Sequence, residues 1–269
     1  MAICLKKLCS GTFIRFTLLQ QEMANAPDST VIVTGTKYDL LIHMEALRAK
    51  LALQTIKAAR DAGYEIIVAD AQSTPSFVEE MKKLGARVIT GNTKTLGASR
   101  REGITQAMKL GKEVIAFMEP EKVSYVKEVQ KTALPILEGK ADMVIPHRKS
   151  LASYPRVQQL AEELANTVCA KLTNTYLDQW FGPRTWSKDC SKYFLDYAGE
   201  YGDAWEWQFI PVNEALADGK RVLSIDVDYT HPPEQTAAEE KDFAFFEKRL
   251  KQLECLKSII AHWKARTRP

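Results

Sequence analysis

Short apolar runs alternating with segments of helical period constrain this chain more than anything else in it. Val31-Ile32-Val33, Ile66-Ile67-Val68-Ala69 and Val114-Ile115-Ala116-Phe117 read as buried strands, with Arg87 to Thr90 as a further strand. Between them, Glu45 to Ala62 sets Leu47, Leu51, Ile56 and Ala59 at helical spacing and stops before Gly63. Thr74 and Pro75 cap and open a second helix, which turns Phe77, Met81 and Leu84 inward and stops at Gly85. A third helix runs from about Leu96 to Leu110, and Gly111 closes it. Strand and helix in strict alternation specify an α/β fold: a mostly parallel sheet with right-handed crossovers.

Open sheets of that kind bind ligands at the carboxyl ends of their strands. Three polar stretches are predicted to meet there: Thr36 to Asp39 after the first strand, Asp70 after the second, and Glu119-Pro120-Glu121 after the Val114 strand. Pro120 fixes φ and removes a donor, so the strand ends and its two acids project from a stiff turn. Two carboxylates at such an edge suit a hard cation shared with phosphates; a solvated acidic turn at a helix N-terminus is the alternative. Asp70 suits a ribose or a base, or else caps the helix at Pro75. Lys94, Arg100 and Arg101 have the charge to balance a pyrophosphate. The glycines form neither a Gly-x-Gly-x-x-Gly run nor a P-loop, which argues against a dinucleotide dehydrogenase and a P-loop enzyme.

Beyond Glu121 a helix carries Val123, Val126, Val129 and Leu137, with Pro135 set to bend or end it. Asp142 to Pro146 is another strand. Pro155 opens a helix whose Val157, Leu160, Leu164, Val168 and Leu172 form an apolar face expected to pack in the core. Trp180 to Trp186 reads as an aromatic loop, and Ser187 caps a helix through Tyr197. Asp203, Trp205, Glu206 and Trp207 cluster before a helix from Phe209 to Ala217. Arg221 to Tyr229 alternates as a half-exposed strand, His231 follows, and a long helix from Thr236 to Trp263 aligns Phe246, Leu250, Leu253, Ile260 and Trp263. That helix packs over the domain or forms a homodimer seam.

Net charge is +3, from 37 basic and 34 acidic residues, so nothing demands nucleic acid as a partner. Five dispersed cysteines without a Cys-x-x-Cys pair indicate neither a disulfide framework nor a zinc site, and a cytoplasmic, reducing home is the simplest. Met1 to Gln21 has no acid and resembles a weak transit or membrane-surface segment, or a poorly ordered extension. No transmembrane span is expected, while peripheral membrane contact stays open. The domains are read as an extension over 1–29, a catalytic domain over 30–235 and a C-terminal helix over 236–269.

The order of these motifs resembles the glycosyltransferase family 2-like, GT-A fold enzymes over roughly Thr30 to Pro233. The resemblance is carried by Glu65 to Asp70, by Leu96 to Gly103, by Ile115 to Glu121 where the family has Asp-x-Asp, and by Asp178 with Phe181 to Ser187. It implies a nucleotide-diphosphate sugar as donor, held by Thr36, Asp70, Lys94, Arg100 and Glu119. Mg²⁺ or Mn²⁺ would sit on Glu119 and Glu121, with His231 as an extra ligand. Asp178, Arg184 and Trp186 would face an acceptor, an anionic one or a lipid phosphate, and Glu206 or Asp203 would serve as base. The chain departs from the family in having Glu-Pro-Glu, a Thr36-Lys37-Tyr38-Asp39 loop, and Pro183 in place of an aromatic residue. A nucleotidyltransferase on a similar sheet and a non-catalytic nucleotide-sugar-binding protein are the alternatives.

Overall fold

A computed structural model describes residues 26–91, 93 and 95–267. The expected alternation is present. Strands β1 (Thr30–Thr36), β2 (Glu65–Asp70), β3 (Arg87–Thr90) and β4 (Val114–Phe117) are joined by helices α1 (His43–Asp61), α2 (Pro75–Lys83) and α3 (Leu96–Met108). After β4 come α4 (Val129–Leu137), β5 (Met143–Arg148), α5 (Arg156–Thr173), β6 (Arg184–Ser187), α6 (Ser191–Asp196), α7 (Glu206–Ala217) and β7 (Val222–Val227). Two helices finish the described chain, α8 (Pro233–Glu239) and α9 (Phe243–Thr267). One seven-stranded sheet runs β3-β2-β1-β4-β6-β5-β7, parallel except for β6, which is antiparallel to both its neighbours.

β1 sits between β2 and β4, and its register aligns Val33 with Ile67 on one side and with Phe117 on the other. Side chains alternate across the pleat, so Val31 and Val33 enter one apolar layer and Ile32 enters the opposite one. All three are fully buried, worth about 1.5–3 kcal/mol each. The helix α3 crosses β1 and β2 so closely that a Cβ on Gly103 would lie 2.9 Å from Val33 Cγ1. This tight seat fixes the start of α3, and with it Arg100, over the ends of the strands.

Four expectations need correction. Trp180 to Trp186 is not a loop: Gln179–Phe181 is a short 3₁₀ turn, and Arg184–Ser187 is a strand inserted mid-sheet. The buried face of α5 is Gln158, Ala161, Glu162, Ala165, Asn166 and Cys169, whereas Leu160 and Leu164 are exposed. Polar residues take the core side there because buried partners satisfy them, Gln158 bonding Glu162 and Asn166 bonding Asp178. The C-terminal helix is two helices, because Asp242 accepts a bond from Ala244 N and starts α9 anew. Its core side is Phe245, Gln252, Cys255, Ile259 and His262, while Phe246 and Leu250 are exposed. The helix packs on α5 and α7 of its own domain.

Residues 26–29 are helical and Ala26 is fully buried, so the packed part of the chain reaches back past Thr30. The expectation for residues 1–25 lies outside the described residues.

Candidate active site

The carboxyl ends of β1 and β4 open on a cleft of 310 Å³. Its walls include Lys37, Tyr38 and Arg48 after β1, Arg100 on α3, Glu119 to Lys122 after β4, and residues of α5, α8 and α9. A second cleft, of 290 Å³, shares Gly35, Lys37, Leu96 and Arg100 with the first and adds Thr36, Ala71, Thr93, Thr95 and Ser99. Lys37 and Arg100 therefore stand on the wall between two adjoining spaces.

Glu119 and Glu121 both line the first cleft, but their surroundings differ. Glu121 Oε1 accepts from the Tyr38 hydroxyl at 2.7 Å and lies 4.0 Å from Arg48 Nε. Glu119 Oε2 has only Lys122 Nζ at 3.9 Å and is buried without a hydrogen-bond partner. Glu121 is thus no exposed turn acid; its side chain is 17% exposed. Among the described residues no three His, Cys, Asp or Glu side chains form a ready-made cation cage. A divalent ion shared between one or two carboxylates and a diphosphate needs no such cage, and the free oxygen of Glu119 fits that role.

Arg100 is buried with its guanidinium 4.9 Å from the Phe117 ring centre and 5.1 Å from that of Trp207. Burial brings it down to about 10, which leaves it charged at neutral pH. The Lys122 ammonium lies over Phe181 and Tyr229 at 4.7 and 4.9 Å. Burial opposes its charge, but Tyr154 and Glu119 outweigh that, and its pKa is raised.

His231 also lines the cleft, fixed by its own bonds. The Thr236 hydroxyl donates to Ser153 O, so His231 Nδ1–H donates to Thr236 Oγ1 at 2.8 Å. That leaves a lone pair on Nε2, which faces Glu239 Oε2 at 3.8 Å. Burial, then Lys122 and Arg249, push the imidazole down to about 2, so it is neutral. The acid beside His231 is Glu239, a residue absent from the sequence-based ligand set.

The other sequence-based site residues fall elsewhere. Asp70 is buried, accepting from the Thr36 hydroxyl at 2.8 Å and from Ser73 N at 3.1 Å, and so ties the β1 loop to β2. Lys94 lies outside the described residues. Arg184 is fully buried and donates to the carbonyls of Gly182, Gln179 and Gln208. Trp186 is fully buried, its indole N–H bonded to Ser191 and its ring stacked on Phe194. Asp178 is paired with Arg148 through two bonds, at 2.8 and 2.7 Å, and accepts from Asn166. Burial would raise its pKa, but the charge and bonds of Arg148 hold it below the usual carboxylate range. None of these three lines either cleft, and β6 carries two of them into the middle of the sheet.

Asp203 grips Arg101 at 2.6 and 2.8 Å and also bonds Thr95, fastening the loop before α7 to α3. Glu206 accepts from Ala204 N. Neither lines the cleft, though Trp205 between them does, and Trp207 is in the core. The acids that do line it, besides the Glu-Pro-Glu pair, are Glu162 and Glu239. For Glu162 the signal in the sequence is a polar stripe at four-residue intervals along α5, Gln158, Glu162 and Asn166.

The sequence profile described as glycosyl transferase family 2 matches residues 42–183. The chain belongs to that family. The matched segment opens just before α1 and closes at Gly182-Pro183, so it includes the Glu-Pro-Glu turn. Family 2 membership makes this chain a glycosyltransferase. No curated protein matches it in a sequence search.

Solved structures share the family 2 chain's fold at low identity. Glucosyl-3-phosphoglycerate synthase from Mycobacterium tuberculosis, in complex with Mn²⁺, uridine diphosphate and phosphoglyceric acid, superposes with a TM-score of 0.61 at 12% identity. That match covers 90% of this chain and 81% of the other. The same enzyme with Mn²⁺, uridine-diphosphate-glucose and phosphoglyceric acid gives 0.62 at 13%, covering 90% and 82%. With Mg²⁺ and uridine diphosphate it gives 0.61 at 12%, covering 92% and 82%. No helix among the described residues is long and apolar enough to cross a membrane.

Proposed function

We propose that this glycosyltransferase moves a sugar from a nucleotide-diphosphate sugar to an anionic acceptor, with Mg²⁺ or Mn²⁺ held at Glu119. The observation that carries this reading is the buried, unpartnered oxygen of Glu119 at the end of β4, in a cleft it shares with Lys37 and Arg100. The metal ions and uridine diphosphate bound by the M. tuberculosis synthase on this fold support it.

The bound cation would act as a Lewis acid on the leaving diphosphate. Lys37 and Arg100 add fixed positive charge there, since neither forms an ion pair among the described residues and both face the two adjoining clefts. Trp205 offers an apolar face for the sugar. The acceptor hydroxyl needs a base, and the free oxygen of Glu239 suits that step better than Asp203 or Glu206, which lie off the cleft.

The cleft is lined by Lys37, Arg48, Arg100, Lys122, Lys248 and Arg249 against Glu119, Glu121, Glu162 and Glu239, six cations to four carboxylates. That excess of two positive charges favours an anionic acceptor, in keeping with the phosphoglyceric acid bound by the synthase. The three described cysteines are buried and unpaired, which fits work in a reducing compartment such as the cytoplasm.

Incubation with Mn²⁺ and a panel of nucleotide sugars tests this reading through its products. Release of a nucleoside diphosphate supports transfer; release of a sugar 1-phosphate would point to nucleotidyl transfer. A second reading, binding without turnover, is favoured by the hold of Tyr38 and Arg48 on Glu121, and it would appear as tight nucleotide-sugar binding with no product.

A further inference from the structure

The far wall of the cleft is built from two matching pairs on two helices. On α5, Gln158 Nε2 donates to Glu162 Oε1 at 2.6 Å; on α8, Gln235 Nε2 donates to Glu239 Oε1 at 2.9 Å. Each amide thus turns its NH2 group to the carboxylate on its own helix and keeps its carbonyl oxygen free. Gln158 Oε1, Gln235 Oε1 and Glu239 Oε2 are all buried without a donor, in residues 5%, 6% and 1% exposed. Buried acceptors of this kind are stable only when something supplies hydrogens to them.

Positive charge stands beside them. Arg249 Nε is buried and unpartnered, while another of its nitrogens donates to Gln252 at 2.7 Å. Lys248 forms no ion pair among the described residues. Its residue is exposed overall, yet crowding of the ammonium by the cleft wall, with Arg48 and Arg249 nearby, brings it down to about 8. Lys122 links this chamber to the metal side, lying 3.4 Å from the Tyr154 hydroxyl and 3.9 Å from Glu119.

The geometry points to an acceptor subsite for a small hydroxylated anion. We propose that Gln158, Gln235 and Glu239 accept hydrogen bonds from the hydroxyls of a polyol or sugar acid, while Lys248 and Arg249 hold its phosphate or carboxylate. This rests on the transfer reading above and narrows its acceptor. A lipid phosphate brings charge but no run of hydroxyls, so it would leave the three oxygens unmet. A neutral polyol would leave the cations unmet.

The test is calorimetric binding to the full-length protein without donor, using glycerol 3-phosphate, glucose 6-phosphate, glyceric acid, inorganic phosphate, glycerol and dodecyl phosphate. At least one hydroxylated anion is expected to bind tenfold or more tighter than inorganic phosphate, about 1.4 kcal/mol, and glycerol not to bind. The phosphate and carboxylate probes separate the two sources of charge. Gln158→Leu should erase the advantage over inorganic phosphate, and Lys248→Ala should weaken every anion, while affinity for uridine diphosphate with Mn²⁺ stays unchanged in both. Gln235→Leu is the second variant should Gln158→Leu fail to fold. Equal binding of inorganic phosphate and all hydroxylated anions, or tightest binding by dodecyl phosphate, overturns the subsite. If no nucleoside diphosphate binds while a hydroxylated anion does, the transfer reading fails and the subsite stands.

Discussion

Gly182 lies against the carboxylate of Glu119, so close that a Cβ on Gly182 would overlap it. The glycine also has φ +100°, a conformation that other residues adopt only under strain. Two motifs far apart in the chain, Glu-Pro-Glu and Gly-Pro-Arg, are therefore one piece of structure. The second shapes the pocket in which the first holds its free oxygen.

Gly182→Ala should fail on both counts. The strained backbone is expected to cost about 1–3 kcal/mol, and the displaced Glu119 should weaken metal-dependent nucleotide binding. Thermal melting and calorimetry read the two effects separately. An alanine variant with wild-type values in both would show that Glu119 can sit elsewhere.

Arg184 is predicted to be structural. Three backbone carbonyls depend on its guanidinium, and a lysine ammonium cannot reach them all. Arg184→Lys should cost about 3 kcal/mol through lost charge-assisted hydrogen bonds, a fall in melting temperature of roughly 6–12 °C for a chain of this size. A variant that melts like the wild type but loses only transfer would return Arg184 to the acceptor side.

The phase of α9 gives a sharp contrast between neighbours. Phe245 is 2% exposed and Phe246 is 36% exposed. Phe245→Ala should cost about 3–5 kcal/mol, and Phe246→Ala no more than about 0.5 kcal/mol. Chemical denaturation of the two variants checks this, and equal losses would mean that the helix is rotated.

What the sequence made legible is the first half of the sheet. In β1, β2 and β4 the residues bury both faces, and an apolar run names such a strand without further context. The carboxyl-end rule then placed Thr36, Asp70 and Glu119 at one edge, where they are. The second half resisted because polar residues do core work there. Gln158, Glu162 and Asn166 are buried among Arg148 and Asp178, so the apolar stripe of α5 names the wrong face. Gln252 and His262 mislead in the same way on α9, because Arg249 bonds the first and Glu214 bonds Nε2 of the second. β6 was hidden because its flanking Gly182-Pro183 reads as a turn, and its antiparallel placement depends on partners distant in the chain.

His231 should remain neutral down to strongly acidic pH. Its folded value is lowered by burial, so the unfolded chain binds the extra proton first. Stability is fully present above about pH 6.5 and falls below it, by up to about 1.4 kcal/mol per pH unit. Nitrogen chemical shifts should show protonated Nδ1 and bare Nε2 at pH 5, and His231→Asn should flatten the acid limb of the stability curve. Titration of His231 near 6.5 would contradict the buried, Thr236-bonded arrangement.

The most direct measurement concerns Glu119. Titration of uridine, guanosine, adenosine and thymidine diphosphates into the protein, with and without Mn²⁺, should find at least one that binds only when the metal is present. Glu119→Gln keeps the shape and removes the charge, and it should lower that affinity tenfold or more, about 1.4 kcal/mol, with little change in melting temperature. Metal-independent binding of every diphosphate, or a Glu119→Gln variant that binds as tightly as the wild type, would contradict a cation site at the end of β4.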